Sequence, residues 1–517
     1  MEENLRGNTA GLKKSKIYAG MKIFVFFAVL FLCILVSSKV VKRKDSVEKY
    51  ADFVKNADQV DVLFFGSSHV LDAINPLQLY AEYGITGYNM AKSGGMVTES
   101  YWMLMNALEY CEPKCVVVDL WALDREYQYI DAKDGEQNSE EAKQAVSFLH
   151  DNFDFLPFNK TKVAAVNDLI SDKETKKGFY WDFILYHNRW SSLEARDFKV
   201  AMGIVEKPGY LGSTPAYLVE KDLHIYQSDK VEDVLPEDTV CVQYLYKILD
   251  ECEKRGIEVV LAFFPMSQSY EQDWMAVNTG QKIADERNLT FINLLPHDTQ
   301  NVIDMETDMF DGIHANVNGM RKITSYVGKY LCKVEGIEDH RQDPAYQAWG
   351  ELVSRWQGEE IDRLLNEGDM YIELGMIQNL NANSIIFMRG NSPALQDVMV
   401  QKFIMQLSGT TAILDAAASG GPYLLIRDAT GGTMQIQEYI GEQQIESFPT
   451  ILGDTHYIAM KPFSAIYVDG NMEYNYLDME EHYDSSMQIT ILGQAGEIMS
   501  RLYYEPNWND MKKGNIE

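Results

Sequence analysis

The 517-residue sequence predicts an α/β protein: a doubly wound, three-layer domain followed by a smaller, mixed domain rich in strands. Three observations lead there. Five short, almost wholly apolar runs recur with helix-length amphipathic stretches between them, the pattern of parallel strands covered on both faces. One gap in that rhythm is far too long to be a loop, which marks an insertion. Near residue 342 the rhythm stops, and glycine pairs begin to punctuate shorter runs. A chain of this length also exceeds what one hydrophobic core serves, so two or more domains are expected.

The first 44 residues stand apart. They hold nine basic side chains against Glu2 and Glu3, a charge of +7 in a chain of net charge −31, which leaves −38 on residues 45–517. Between the basic clusters, residues 23–36 (IFVFFAVLFLCILV) carry no polar side chain except Cys33. This run is short of the roughly 20 apolar residues that a bilayer crossing wants, but residues 18–20 and 40–41 lengthen it if flanking lysines snorkel. A retained single-pass membrane anchor is expected. A cleaved signal peptide is the alternative, since Val36 and Ser38 stand where cleavage sites fall. Either way the body is expected outside the cytoplasmic membrane, because long domains translocate largely regardless of charge. So acidic a body repels phosphate backbones, which excludes nucleic-acid binding. The scattered cysteines, Cys111 and Cys115 among them, offer neither a zinc spacing nor a disulfide framework.

The elements follow in order. Residues 60–65 (VDVLFF) run apolar into Gly66 and form the first expected strand. Residues 87–91 (GYNMA) form the second and enter the Gly94, Gly95 pair. Helices over 98–110, 239–255 and 272–287 precede strands at 115–120 (CVVVDL), 257–264 (IEVVLAFF) and 289–295 (LTFINLL). A last helix over 318–333 closes a domain spanning 45–340. Within it, residues 124–238 contain many aromatics and no clean strand, and are expected to form a mostly helical cap beside the site. Tyr127, Tyr129, Phe148, Phe153, Phe155 and Phe158 are expected in its core. The accessory domain, 341–517, begins with a helix over 346–365. Short segments follow at 371–373 and 384–389, a helix at 394–407, and further segments at 423–427, 434–439, 457–460, 465–468 and 487–492. Residues 384–390 (SIIFMRG), a strand leading into a helix, are similar to the lectin-like domain of certain secreted interleukin-like proteins. That likeness implies a binding or docking module, with carbohydrate as one ligand class.

Chemistry concentrates at two places. Gly66-Ser67-Ser68-His69 stands at the C-terminal end of the first strand, where open α/β sheets bind ligands. A serine on that strand-to-helix turn lies beside free helix N–H groups, the raw material of an oxyanion hole. Its hydroxyl needs a base. Asp311-Gly312-Ile313-His314, just before the last helix, supplies one: Asp-x-x-His sets a carboxylate about one turn from an imidazole that it can orient. No strand–GxxxxGK–helix or strand–GxGxxG–helix exists in the chain, so nucleotide chemistry has no support.

The blocks VDVLFFGSSHVLDAINP, GYNMAKSGG and FDGIHANVNGMRKI resemble the SGNH/GDSL hydrolase superfamily over about residues 55–335. The resemblance implies a three-layer, flavodoxin-like fold, with Ser68 as nucleophile and Asp311 and His314 completing a triad. It implies Ser68 and Gly94 as oxyanion donors. The anchor, the insertion and the far C-terminal Asp-x-x-His look most like the membrane-anchored branch, which includes the teichoic-acid D-alanylation protein and polysaccharide O-acetylation proteins. On that likeness the chain is expected to be a serine esterase or acyltransferase acting on a cell-surface glycan or acylated polymer, beside a membrane acyltransferase partner. No metal or organic cofactor is implied.

The chain also departs from the superfamily pattern. Ser67 replaces the usual aspartate before the nucleophile and is itself a rival nucleophile. The third block lacks its Gly-x-Asn-Asp, since DLWALDRE follows the third strand, so a third oxyanion donor is unassigned. These departures feed a rival reading, an inactive SGNH-fold scaffold. Ser68 and Asp311 are also good helix-capping residues, and His314 fits a surface position. His69 reads as a substrate-side or structural residue. Within the insertion, His187, Arg189 and Trp190 are candidate substrate contacts: Arg189 as an anion clamp, His187 as a donor, Trp190 as a stacking face. The alternative puts Arg189 in a salt bridge inside the cap.

Overall fold

The structure is a computed structural model. It describes residues 2–42, 45–136, 139–204, 210–295, 302–366, 369–429, 432–441, 444–450, 453–459, 466–468, 471–474, 486–493 and 498–504. The first domain is built on five parallel strands: β1 Val62–Phe65, β2 Gly87–Asn89, β3 Cys115–Asp119, β4 Glu258–Phe263 and β5 Thr290–Asn293. Their order is β2-β1-β3-β4-β5. This is a doubly wound order whose switch point lies between β1 and β3, so the crevice for a ligand opens at the end of β1.

Both faces of the sheet are covered, which is why its strands read as continuous apolar runs. Leu63, Phe65, Val116, Val118, Leu261 and Phe263 enter one core with the helices Val97–Ala107, Val240–Arg255 and Glu271–Arg287. The alternate residues Val62, Phe64, Cys115, Val117, Val260 and Ala262 enter the other, where Leu79 of Pro76–Tyr83 and Ile323, Val327 and Leu331 of Val317–Leu331 pack. The helix boundaries fall within a few residues of those predicted.

The first helix runs Glu2–Val41, and its segment Tyr18–Val41, with mean hydropathy 2.7 in its most apolar window, is long and apolar enough to cross a membrane or to act as a signal sequence. The insertion is largely helical through residue 201, including Glu126–Asp134, Glu140–Phe153, Lys160–Leu169 and Lys173–Tyr180. Its aromatics divide: Phe153 and Phe155 are buried as expected, whereas Tyr127 and Phe158 are exposed. The returning stretch 210–228 then crosses the strand ends. Leu211 O accepts from Asn89 N, Thr214 N donates to Leu71 O, and Ala216 O accepts from Val317 N.

A separate antiparallel sheet carries Asn383–Met388 at its centre, flanked by Tyr423–Asp428 and Met487–Leu492, with Gln435–Ile440 and Ile498–Tyr504 at the edges. Residues 371–373 belong to the helix Met370–Asn379, not to a strand. Asp369 caps that helix and accepts from Tyr371 N and Ile372 N, which starts a helix where the short apolar run alone suggested extension. The helix expected at 394–407 is broken at Asp397, the N-cap of Val398–Ser408. This region packs on the helix that follows the Asp-x-x-His loop: Arg321 donates to Asn379 O at 2.8 Å, and Asn379 donates to Asn318 Oδ1 at 2.8 Å.

Candidate active site

Strand β1 ends at Gly66, whose φ of +151° no side chain adopts comfortably; an added Cβ would lie 2.6 Å from Asp119 Cβ and 2.6 Å from Val70 Cγ2. The glycine lets the chain turn tightly against the end of β3 and begin the short helix Ser68–Leu71. Ser67 is its N-cap: fully buried, it accepts from His69 N at 3.3 Å, and its hydroxyl lies a long 3.5 Å from Asp119 Oδ2. Ser68, one residue on, is only half-buried, and its Oγ lies 2.7 Å from His314 Nε2.

The loop that brings His314 there is fixed from both sides. Met309 and Ala315 bridge, Phe310 N donates to His314 O, and Asn316 N donates to Asp308 O. Ser267, just past β4, donates to Gly312 O from its backbone at 3.0 Å and from its hydroxyl at 2.9 Å. Within the loop Asp311 Oδ1 accepts from Ile313 N and His314 N, and Oδ2 accepts from His314 Nδ1 at 2.8 Å. Burial pulls the Asp311 pKa upward, but the hydrogen bonds from the imidazole and the two backbone donors outweigh it, and the carboxyl sits below its ordinary value. It is an anion at neutral pH, placed to hold the proton on Nδ1 and leave Nε2 free to accept from Ser68.

His69 lies next to this relay without joining it. The ring is buried, stacks on Trp121 at a 4.6 Å centroid distance, and lies 5.3 Å from the His314 ring. Among the described residues neither ring nitrogen has a hydrogen-bond partner, and Trp121 Nε1 is likewise without one. Burial first, then the charges of His314 and Arg125, push the His69 pKa well down, so the ring is neutral. On the far side, Phe310 lies nearly parallel to His314 at 5.2 Å. The imidazole is thus walled by two rings while its edge reaches Ser68.

Gly94 has φ +62°, and an added Cβ would press on the Phe148 ring at 3.1 Å. Its loop is drawn against the turn that carries Ser68, since Lys92 N donates to Gly66 O at 3.1 Å. The backbone N–H groups of Ser68 and Gly94 have no acceptor among the described residues. Unengaged backbone N–H groups are the kind of donor that an oxyanion hole uses.

The candidates in the insertion lie elsewhere. Arg189 donates to Val41 O at 2.6 Å and Lys42 O at 2.8 Å and pairs with Asp197 at 3.3 Å, so it closes the C-terminal end of the first helix. His187 is exposed, with Nδ1 on Ile184 O, and Trp190 is half-exposed beside Phe183. None of the three makes a described contact with Ser68 or His314.

Two buried carboxyls near the site escaped the sequence reading. Asp119 ends β3 behind Ser67, and burial raises its pKa to about 7, partly offset by the Trp121 N–H and Arg125. Asp72 carries a pKa raised to about 6 by burial, against a hydrogen bond from Thr214 at 2.8 Å. Their position at strand or helix ends was the available signal. Comparison with family models and with curated proteins finds no match for this chain.

Proposed function

We propose that the chain is a membrane-tethered serine esterase or O-acyltransferase of SGNH type, working outside the cytoplasmic membrane on an acylated cell-envelope glycan or related polymer. The observation that supports it is the Ser68–His314–Asp311 relay, with both polar contacts at hydrogen-bond length. A scaffold without turnover has no need of an imidazole held between a half-buried serine and a carboxylate.

In this reading Ser68 Oγ attacks an ester or thioester carbonyl as its proton passes to His314 Nε2. The carbonyl π-electrons move to oxygen, and the oxyanion is met by the N–H groups of Ser68 and Gly94. As the oxyanion collapses, the leaving alcohol or thiol takes the proton back from Nε2, and an acyl-Ser68 ester is left. Water or a sugar hydroxyl then gives its proton to Nε2 and attacks the acyl carbon, and Ser68 leaves reprotonated. Asp311 stabilises the imidazolium in both halves. Hydrolysis and transfer differ only in the last acceptor. Ser67 is unsuited to this role because it is buried and serves as the helix cap.

Trapping the intermediate tests the proposal. Incubated with an activated acetyl ester and quenched in acid, the protein is expected to carry acetyl on the peptide containing Ser68, and the His314→Ala variant to carry none. Acetylation at scattered lysines alone would contradict it.

A further inference from the structure

The insertion lies against the end of the first helix. Elements Asp182–Tyr186, His187–Ser192 and Ala195–Ala201 all pack on it. Its last residues Val40 and Val41 are buried by this packing, and Arg189 covers the carbonyls of Val41 and Lys42. From Tyr18 to Val36, by contrast, the large apolar side chains of the helix other than Ile34 stand exposed. The uninterrupted apolar run 23–36 rises only about 21 Å at ~1.5 Å per residue. A hydrocarbon core is about 30 Å thick. If the helix crosses a bilayer, the body therefore begins close to, or within, the headgroup region.

On those same insertion elements and beside them, Trp181, Ile184, Trp190, Phe198, Met202 and Ile204 are each between 48% and 70% exposed. Large apolar side chains concentrated in one short stretch of a body carrying −38 call for a partner. Two of the six are tryptophans, which favour the membrane–water boundary. Arg196, on one of these elements, is ion-paired with Glu48, so exposed apolar side chains rather than a net positive charge mark this face.

We infer that this face of the insertion is a second membrane contact, seated in the headgroup and upper acyl region of the bilayer that the first helix crosses. The first helix alone would leave the body free to swivel. A second contact holds the catalytic crevice at one height and orientation above the surface, which suits an enzyme whose polymer is itself membrane-bound. The inference rests on the first helix being a membrane span, and the test separates the two.

Full-length protein with Cys33→Ser and Cys332→Ser would receive single cysteines at 27, 184, 190, 202 or 398, each labelled with an environment-sensitive fluorophore. It would be reconstituted in vesicles of phosphatidylcholine and phosphatidylglycerol, with or without nitroxide lipids. Val398 is an exposed residue of the C-terminal region and Phe27 lies mid-span. The expected result is blue-shifted emission and at least twofold quenching by shallow nitroxides at 184, 190 and 202, deep quenching at 27, and neither at 398. Sites 184, 190 and 202 behaving like 398 while 27 is quenched would overturn the inference and leave the span. A blue shift at those sites without lipid quenching would also overturn it, and would mean that protein covers the patch. No quenching at 27 would remove the span on which it rests.

Discussion

Replacing Asp311 with asparagine keeps the side chain's shape and changes which of its two ends can accept a hydrogen bond. In the native loop Oδ1 accepts from Ile313 N and His314 N, both at 2.8 Å, and Oδ2 accepts from His314 Nδ1 at 2.8 Å. The amide oxygen of Asn must stay on the two backbone donors, because the reverse orientation sets an NH₂ group against two N–H groups. Its NH₂ then faces His314 Nδ1, which can only accept, so the ring proton moves to Nε2. A protonated Nε2 cannot take the proton of Ser68 at 2.7 Å. The hydrogen bonds survive, so the fold should hold while the wrong tautomer is locked in. A triad change acting this way costs about 10⁴-fold in rate. That factor corresponds to about 5.4 kcal/mol of transition-state stabilisation. The assay is the second-order rate of fluorophosphonate labelling, with thermal unfolding measured on the same samples. A normally folded Asp311→Asn protein labelled within about tenfold of the wild type, only ~1.4 kcal/mol away, would refute the reasoning.

Further expectations concern the groups around the relay. Ser67→Ala removes a buried N-cap and should cost about 1 kcal/mol in chemical unfolding while fluorophosphonate labelling persists. Gly66→Ala would thrust a Cβ to 2.6 Å from Asp119 Cβ at an unfavourable φ, and should destabilise by about 1–3 kcal/mol or more, read from urea midpoints. Burial raises the pKa of Glu99 from 4.5 to about 8, against a hydrogen bond from Asn152. The folded state therefore holds a proton that the unfolded state releases, and stability falls as pH rises through that interval, by up to ~1.4 kcal/mol per pH unit. Glu99→Gln should flatten the decline between about pH 6.5 and 8 in urea titrations. His69 acts with the opposite sign: its folded pKa lies well below 6.5, so stability is lost as pH falls below that value. His69→Phe keeps a ring against Trp121 and should raise the unfolding midpoint at about pH 5, whereas an unchanged midpoint would mean that the unfilled hydrogen bonds of His69 cost nothing there.

Much of this architecture is legible in the chain because it depends on short-range pattern. A strand buried on both faces must be apolar throughout, so β1, β3 and β4 announce themselves, and the residues just beyond a strand end face the crevice whatever the rest does. That is why Ser68 could be picked out, and why an Asp-x-x-His before a helix N-cap could be paired with it 246 residues away. What stayed hidden depends on tertiary partners. Arg189 looks the same in sequence whether it clamps an anion or caps a helix, and only the packing of the first helix decides for Val41 and Lys42. Ser67 and Ser68 are chemically alike, and the turn at Gly66 separates the buried cap from the half-buried hydroxyl. In the C-terminal region, the helix Ala412–Ser419 ends at Gly420 with φ +68°, a glycine C-cap that read only as punctuation. The edge strand Ile498–Tyr504 shows no clean alternation and was missed altogether.

The most direct test of the central claim is covalent labelling of the full-length protein by a fluorophosphonate probe, run beside Ser68→Ala and Ser67→Ala. Labelling abolished in Ser68→Ala and retained in Ser67→Ala is the predicted result, since only Ser68 faces the His314 imidazole. A folded wild-type protein that takes no label, or a Ser68→Ala protein that labels as fast as the wild type, would contradict it.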